Sequence, residues 1–240
     1  MTAEPVLELS GISKNYGALR PLRIERLSVA AGESVAIVGL DQSAAEVFIN
    51  MVTGATLPES GDVRALGRAT SAIADSHDWL AFVDRFGIVS ERAVLLEPLT
   101  VIQNIAVPFT LDIEPPPDDV RDRAMALAVE AGIEAAVLGH AVGDLDPATR
   151  ARVRLARALA LDPTVLLIEH PSAGIPRADV AGLGSSIRTA ASRRGTAAIT
   201  LTADPQCAAA IAERVLTLEP ASGRLRPTGR AFGWIRGRFS

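Results

Sequence analysis

Residues 164–169, Thr-Val-Leu-Leu-Ile-Glu, form a continuous apolar run closed by one acid. A strand that alternates apolar and polar residues can face water on one side. A run without alternation must be covered on both faces, which is the environment of a central strand in a parallel sheet. The segments around it agree. Helical patterns over 148–161, 178–194 and 205–213 alternate with strand patterns over 164–169, 197–202 and 214–218, the order expected of an α/β fold. Ahead of them, Val6 to Ile12 and Ile24 to Val29 alternate as half-solvated antiparallel strands do. Ser34 to Val38, residues 61–67 and residues 87–90 read as further short strands.

One stretch raises a chemical question. Gly39-Leu-Asp-Gln-Ser-Ala-Ala-Glu46 lies between the strand-like run ending at Val38 and a helix-like run, Val47 to Val52. Strand, tight loop and helix is where a phosphate-binding loop belongs, and the first glycine is in place. The second glycine, the lysine and the hydroxyl are not. Lys14 is the only lysine of the chain, so none is near Ala45.

Between 91 and 146 the pattern turns helical. Thr100-Val-Ile-Gln103 fits a capping box, residues 114–119 (Glu-Pro-Pro-Pro-Asp-Asp) a loop, and Val120 to Ala131 an amphipathic helix stopped at Gly132. Asp146-Pro147 then supplies an N-cap followed by proline at the first helical position. The expected organisation is one domain over 1–220 with an inserted helical subdomain at 91–146, followed by a basic and aromatic tail over 221–240. That tail carries Arg224, Arg226, Arg230, Arg236 and Arg238 with Phe232, Trp234, Ile235 and Phe239. It suits a solvated extension, contact with an anionic membrane surface, or contact with a partner's loop.

Five ordered segments resemble the ATP-binding subunits of ABC transporters, and the likeness runs over about residues 5 to 225. They are AGESVAIVG, NMVTGATLPESGDV, FGIVSERAVLLEPLTVIQNIAVP, RARVRLARALALDPTVLLIEHPSAG and ITLTADPQCAAAIAERVLTLEPASGRL. The style of LTVIQNIAVP is most similar to lipoprotein-release and macrolide-efflux systems. The resemblance implies an ABC-type P-loop NTPase-like core with a mainly parallel sheet, an N-terminal antiparallel β subdomain and the inserted helical subdomain.

The family's chemical positions are replaced here. Its phosphate loop, G-x-x-G-x-G-K-[ST]-T, aligns with Gly39, Gln42, Ser43, Ala44, Ala45, Glu46 and Val47. Lysine has become alanine and the magnesium hydroxyl a carboxylate. At about 4 Å an intermediate dielectric makes each such charge worth a few kcal/mol, and both changes oppose a polyphosphate. The second acidic strand ends in Glu169-His170 where the family has Asp-Glu. The glutamine that ligates magnesium aligns with Glu91, and the switch histidine with Ala203. The signature L-S-G-G-Q aligns with Leu145, Asp146, Pro147, Ala148 and Thr149, where an acid and a residue without an N–H face the position of a partner's γ-phosphate. Tyr16 stands where the family stacks an aromatic on adenine; packing between a strand and a turn accounts for it equally well.

Three readings compete: a non-hydrolytic ABC-type subunit, a divergent but working ATP-binding subunit, and a new enzyme built on Glu91, Glu169 and His170. Family sites form between the loop of one subunit and the signature of another, and this chain has lost both halves. The first reading is therefore preferred. No catalytic residue and no cofactor is expected, with ATP and magnesium bound weakly at most. Restoring Ala45→Lys together with Glu46→Ser is expected to improve nucleotide binding. His77 and His140 lack ligand-spaced partners, so no metal site is expected.

The partner implied by the resemblance is a membrane permease docked on the 91–146 subdomain, and a permease loop is then the one the tail would touch. A homodimer and a heterodimer with an ABC ATPase both stay open. The net charge of -4 gives no case for nucleic acid. One cysteine, Cys207, fits a reducing compartment, and no apolar run approaches a membrane span. The expected place is the cytoplasm, peripheral at the inner face of the membrane.

Overall fold

A computed structural model describes residues 5–228. The strands are β1 (Pro5–Lys14), β2 (Leu22–Ala30), β3 (Ser34–Val38), β4 (Ser60–Ala65), β5 (Arg68–Ala69), β6 (Phe86–Val89), β7 (Val165–Glu169), β8 (Ala197–Thr202), β9 (Arg214–Glu219) and β10 (Arg224–Pro227). The helices are α1 (Gln42–Val52), α2 (Ser76–Val83), α3 (Val101–Ala106), α4 (Asp118–Glu130), α5 (Pro147–Ala158), α6 (Arg177–Arg194) and α7 (Pro205–Ile211).

Two sheets organise the chain. The larger has the order β10-β9-β3-β8-β7-β6 and is parallel except for the edge pair β10–β9. The smaller is antiparallel, with the order β2-β1-β4-β5. The expected α/β class, with a mainly parallel sheet and an antiparallel N-terminal β subdomain, is the observed architecture.

The run at 164–169 behaves as its lack of alternation requires. All five residues of β7 are buried. Val165 and Leu167 join the core that contains α1 and the antiparallel sheet, while Leu166 and Ile168 join the core shared with α3, α4, α5 and α6. Successive side chains of a strand point to opposite faces, so both faces here are filled. Glu169 follows the same alternation and leaves the strand on the α1 side.

The caps read from sequence are present. Thr100 and Gln103 form the reciprocal capping box of α3, and the Asp146 side chain accepts from the Thr149 amide at 2.9 Å with Pro147 at the first helical position. Gly54 ends α1 with φ +72. Between residues 91 and 146 lie α3, α4, two short 3-10 turns and connecting loops. The buried Asn104 side chain fastens the loop before α3: it accepts from the Leu96 amide at 2.8 Å and donates to the carbonyls of Leu96, Leu99 and Thr100.

Some expectations need correction. The tail was placed from residue 221, but Arg224–Pro227 is β10, paired with β9. Arg224 bonds Glu25 at 3.0 Å, and Arg226 pairs with Glu219. The remaining tail residues, Arg230, Phe232, Trp234, Ile235, Arg236, Arg238 and Phe239, lie outside the described residues. Helix α5 closes at Ala158 rather than 161, and α7 at Ile211 rather than 213. Helix α2 has no counterpart in the sequence reading because only Phe82 of it is buried, which leaves no apolar periodicity to detect.

Candidate functional site

In an open parallel sheet the carboxyl ends of the strands are where ligands bind. The ends of β3, β6, β7 and β8 bring Gly39, Ser90 to Arg92, Glu169 to His170, and Ala203 to that edge.

The largest departure from the sequence reading is at the loop. Residues 39–46 were expected as loop, with helix from Val47. Helix α1 instead begins at Gln42, so the non-helical connection is only Gly39, Leu40 and Asp41. Local residues favour this start, and the core that Ala44 and Ala45 enter completes it. Asp41 is the N-cap: its Oδ1 accepts from the Ala44 amide at 2.8 Å, and its carbonyl from the Ala45 amide at 2.9 Å. Ala44 and Ala45 are strong helix formers, and no glycine at 42 or 44 favours an open cradle. Gly39 alone keeps a glycine conformation, with φ +103, and a Cβ there would sit 3.3 Å from the Leu218 carbonyl.

The aligned positions are thereby distributed over a helix. Gln42 and Ser43 are exposed in its first turn, and Ala44 and Ala45 are buried at 5% and 0% exposure. Glu46 and Val47 are half-buried. Amides that would cradle phosphate are spent on the cap and the first helical hydrogen bond. Asp41 fills the helix N-terminus, and Glu46 takes no part in that cap.

Glu46 turns to Arg92, whose guanidinium lies 2.9 Å from its carboxylate. The same guanidinium reaches Oε2 of Glu169 at 2.8 and 3.1 Å. Ser90 Oγ donates to that oxygen at 2.7 Å and accepts from the Arg92 amide at 3.1 Å. Glu169 is 2% exposed, and a carboxylate that deep is tolerable only when paired and hydrogen-bonded. A cation from the chain itself thus occupies the space between α1 and the end of β7. Neither Arg92 nor Ser90 was singled out from the sequence. The one available signal was an arginine beside Glu91 in a segment otherwise poor in charge.

The other aligned residues gather less tightly. Glu91 is exposed. His170 has φ +42, donates its amide to the Leu201 carbonyl at 2.8 Å, and leaves Nε2 buried without a partner. Ala203 offers only a methyl beyond β8, next to Asp204, which caps α7 and pairs with Arg177 at 2.9 Å. Leu145 and Ala148 are buried while Asp146 and Pro147 are exposed; Thr149 is half-buried and bonds Asp146 at 2.6 Å. Burial works against the Asp146 carboxylate, yet hydrogen bonds from Thr149 and the helix amides hold its pKa below the ordinary value. It remains an anion at the helix tip. Tyr16 packs half-buried against the core, and its phenol is raised by burial and by the charge of Asp41.

Among the described residues no group of three or more His, Cys, Asp or Glu side chains could hold a metal ion, and no helix is long and apolar enough to cross a membrane.

Residues 22–173 match the protein-family model described as "ABC transporter". The lipoprotein-releasing system ATP-binding protein LolD of Bordetella pertussis is 32% identical over 232 residues, covering 93% of this chain and 96% of that protein. The macrolide export ATP-binding/permease protein MacB 1/2 of Paracoccus denitrificans is 31% identical over 229 residues, 93% of this chain but 33% of that longer protein. Among solved structures, cbiO1 of Clostridium perfringens, part of the ABC transporter complex cbiONQ, superposes with a TM-score of 0.77 at 20% identity, covering 92% of this chain and 87% of that one. At that identity the likeness speaks for the fold.

Proposed function

This chain belongs to the ABC transporter family as an ATP-binding-type subunit, and we propose that it acts there without hydrolysing ATP, as a scaffold or regulatory partner of a membrane permease. The observation that carries this reading is the state of the phosphate loop. Its residues are wound into α1 behind the Asp41 cap, and Arg92 bridges Glu46 to Glu169. A bound Mg-ATP would have to unwind a capped first turn, displace an arginine from a buried carboxylate, and accept Glu46 beside its phosphates. Each step is unfavourable, and no lysine compensates.

The test is direct. Purified protein with millimolar Mg-ATP is expected to release phosphate at the background rate, and calorimetry to give no affinity in the low micromolar range. Turnover that vanishes in a Glu169→Gln variant would overturn the reading.

The second reading is an ATP-binding subunit that drives transport with divergent residues. Family membership favours it, since the relatives named above are ATP-binding proteins of export and release systems. The same calorimetry separates the two: a magnesium-dependent affinity in the low micromolar range supports the second and sinks the first.

For the partner, the segment 91–146 is the proposed docking surface, in keeping with a place at the inner face of the membrane. Val94, Leu96 and Leu111 of this segment expose 71%, 42% and 89% of their surface, apolar area that a docked partner would cover. Val94→Asp with Leu96→Asp is expected to abolish co-purification with a membrane subunit, while His170→Ala leaves it intact. The reverse pattern would exclude docking through this segment.

A further inference from the structure

Among the described residues five buried side-chain polar atoms lack a hydrogen-bond partner, and three of them fall at one place. Oε1 of Glu169, Nε2 of His170 and Nε of Arg154 belong to residues that line a single cavity of about 230 Å³. The cavity is bounded by the ends of β6 and β7, the start of α5 and the segment 171–175. No residue of α1 or of the connection 39–41 lines it. Glu169 has its two oxygens divided between two environments: Oε2 is taken by Ser90 and Arg92, and Oε1 is left unpaired. Buried polar atoms are normally satisfied by protein, ligand or ordered water, so three unpaired atoms on residues of one wall mark it as a place for a polar guest.

The charges on the wall narrow what that is. Glu91 and Glu169 contribute carboxylates, and Arg150 and Arg154 guanidiniums. A lone anion would meet both carboxylates, and a lone cation both arginines. Arg150 is committed through Nε to the Leu145 carbonyl at 3.0 Å and also to that of Gly143, which leaves Arg154 as the cation for a ligand. The exposed N-terminus of α5 offers no anion site, because Asp146 caps it and Pro147 has no N–H. We propose that this cavity binds a small zwitterion of amino-acid size, its carboxylate on Arg154 and its ammonium on Oε1 of Glu169, with His170 Nε2 as a further hydrogen-bond partner. The volume is below that of a typical pocket for a drug-sized ligand, which suits a small metabolite better than a nucleotide. The proposal rests on the reading above in one respect: Glu169 must be free of magnesium.

The full-length protein, without nucleotide, would be titrated by NMR with each of the proteinogenic amino acids, and with acetate and methylammonium as half-ligands. Saturable binding of at least one amino acid at sub-millimolar to millimolar concentration is expected, with acetate and methylammonium at least about tenfold weaker. Arg154→Leu should weaken that binding about tenfold or more. Ala173→Leu, at an exposed position of the wall, should do the same by filling the cavity without touching a charge. No saturable binding by any amino acid would mean that the cavity holds only water, and would overturn the inference. Binding indifferent to both variants, or equally strong for acetate alone, would overturn it as well. A parallel Mg-ATP titration keeps the two questions apart. Silence of both ligands sinks the zwitterion site and leaves the non-hydrolytic reading standing, whereas tight Mg-ATP binding that displaces the amino acid sinks the non-hydrolytic reading alone.

Discussion

Arg92→Ala is expected to destabilise the protein by about 3 kcal/mol, the low end of the roughly 3–5 kcal/mol that removing one partner from a buried ion pair costs. The loss comes from Glu169, which is 2% exposed and depends on Arg92 for two of its three hydrogen bonds. Ser90 remains, and water can follow the vacated guanidinium, which is itself 38% exposed in the folded chain; both keep the value below the top of the range. Glu46→Gln removes only the exposed half of the bridge and should cost under about 1 kcal/mol. Adding Glu169→Gln to Arg92→Ala removes the uncompensated charge while keeping its shape, so most of the lost stability should return. With Glu169→Gln alone added, the double-mutant cycle measures the coupling. Urea unfolding with an unchanged m-value reads all five proteins. A single Arg92→Ala effect within about 0.5 kcal/mol of zero, the range of an ordinary surface change, would remove the bridge from the account of this site.

The second large effect concerns Ala45. Sequence alignment alone makes Ala45→Lys the natural repair of the phosphate loop, with Glu46→Ser improving it further. The geometry reverses that expectation. Ala45 is 0% exposed and packs in the same core as Phe48 and Ile49. A lysine there must bury its ammonium or push its stem through packed side chains. Overpacking alone costs about 1–3 kcal/mol, and an unpaired buried charge adds to it, so a loss of about 3 kcal/mol or more is expected. No gain in Mg-ATP affinity should accompany it, because Asp41 still caps α1 and Arg92 still spans Glu46 and Glu169. A binding gain should require unwinding as well, with Gln42→Gly and Ala44→Gly added to Ala45→Lys and Glu46→Ser. Urea unfolding and calorimetry on the single and quadruple variants check this. If Ala45→Lys alone folds with near-native stability and binds Mg-ATP, then α1 opens readily and the account of a loop closed by its own cap and core contacts fails.

Much of the fold could be read from local pattern. Continuous apolar sequence located β7, alternation located β1 and β2, and the capping residues Thr100 and Asp146 each sit at a helix start. What escaped was weakly patterned. Helix α2 buries a single residue, and β10 is a polar edge strand whose arginines looked like tail. The site was legible as a set of replaced residues but not as an arrangement. Arg92 carried no motif, so its role could not be inferred before Glu46 and Glu169 were seen on either side of it.

The sequence by itself determined the order of the strongly patterned strands and helices, the starts of α3 and α5 and the absence of the usual phosphate and magnesium groups. Those depend on residue type and on spacing within a few positions, where propensity, capping and periodicity act. Only the tertiary structure decided where α1 begins and what fills the vacated site. Whether Gln42 to Glu46 coils into helix or stays open turns on Ala44 and Ala45 finding a core to enter. Which cation neutralises Glu169 turns on a residue 77 positions away in the chain. A buried charge draws its partner from whatever the fold brings within hydrogen-bond reach, because a low-dielectric interior leaves it no water to turn to.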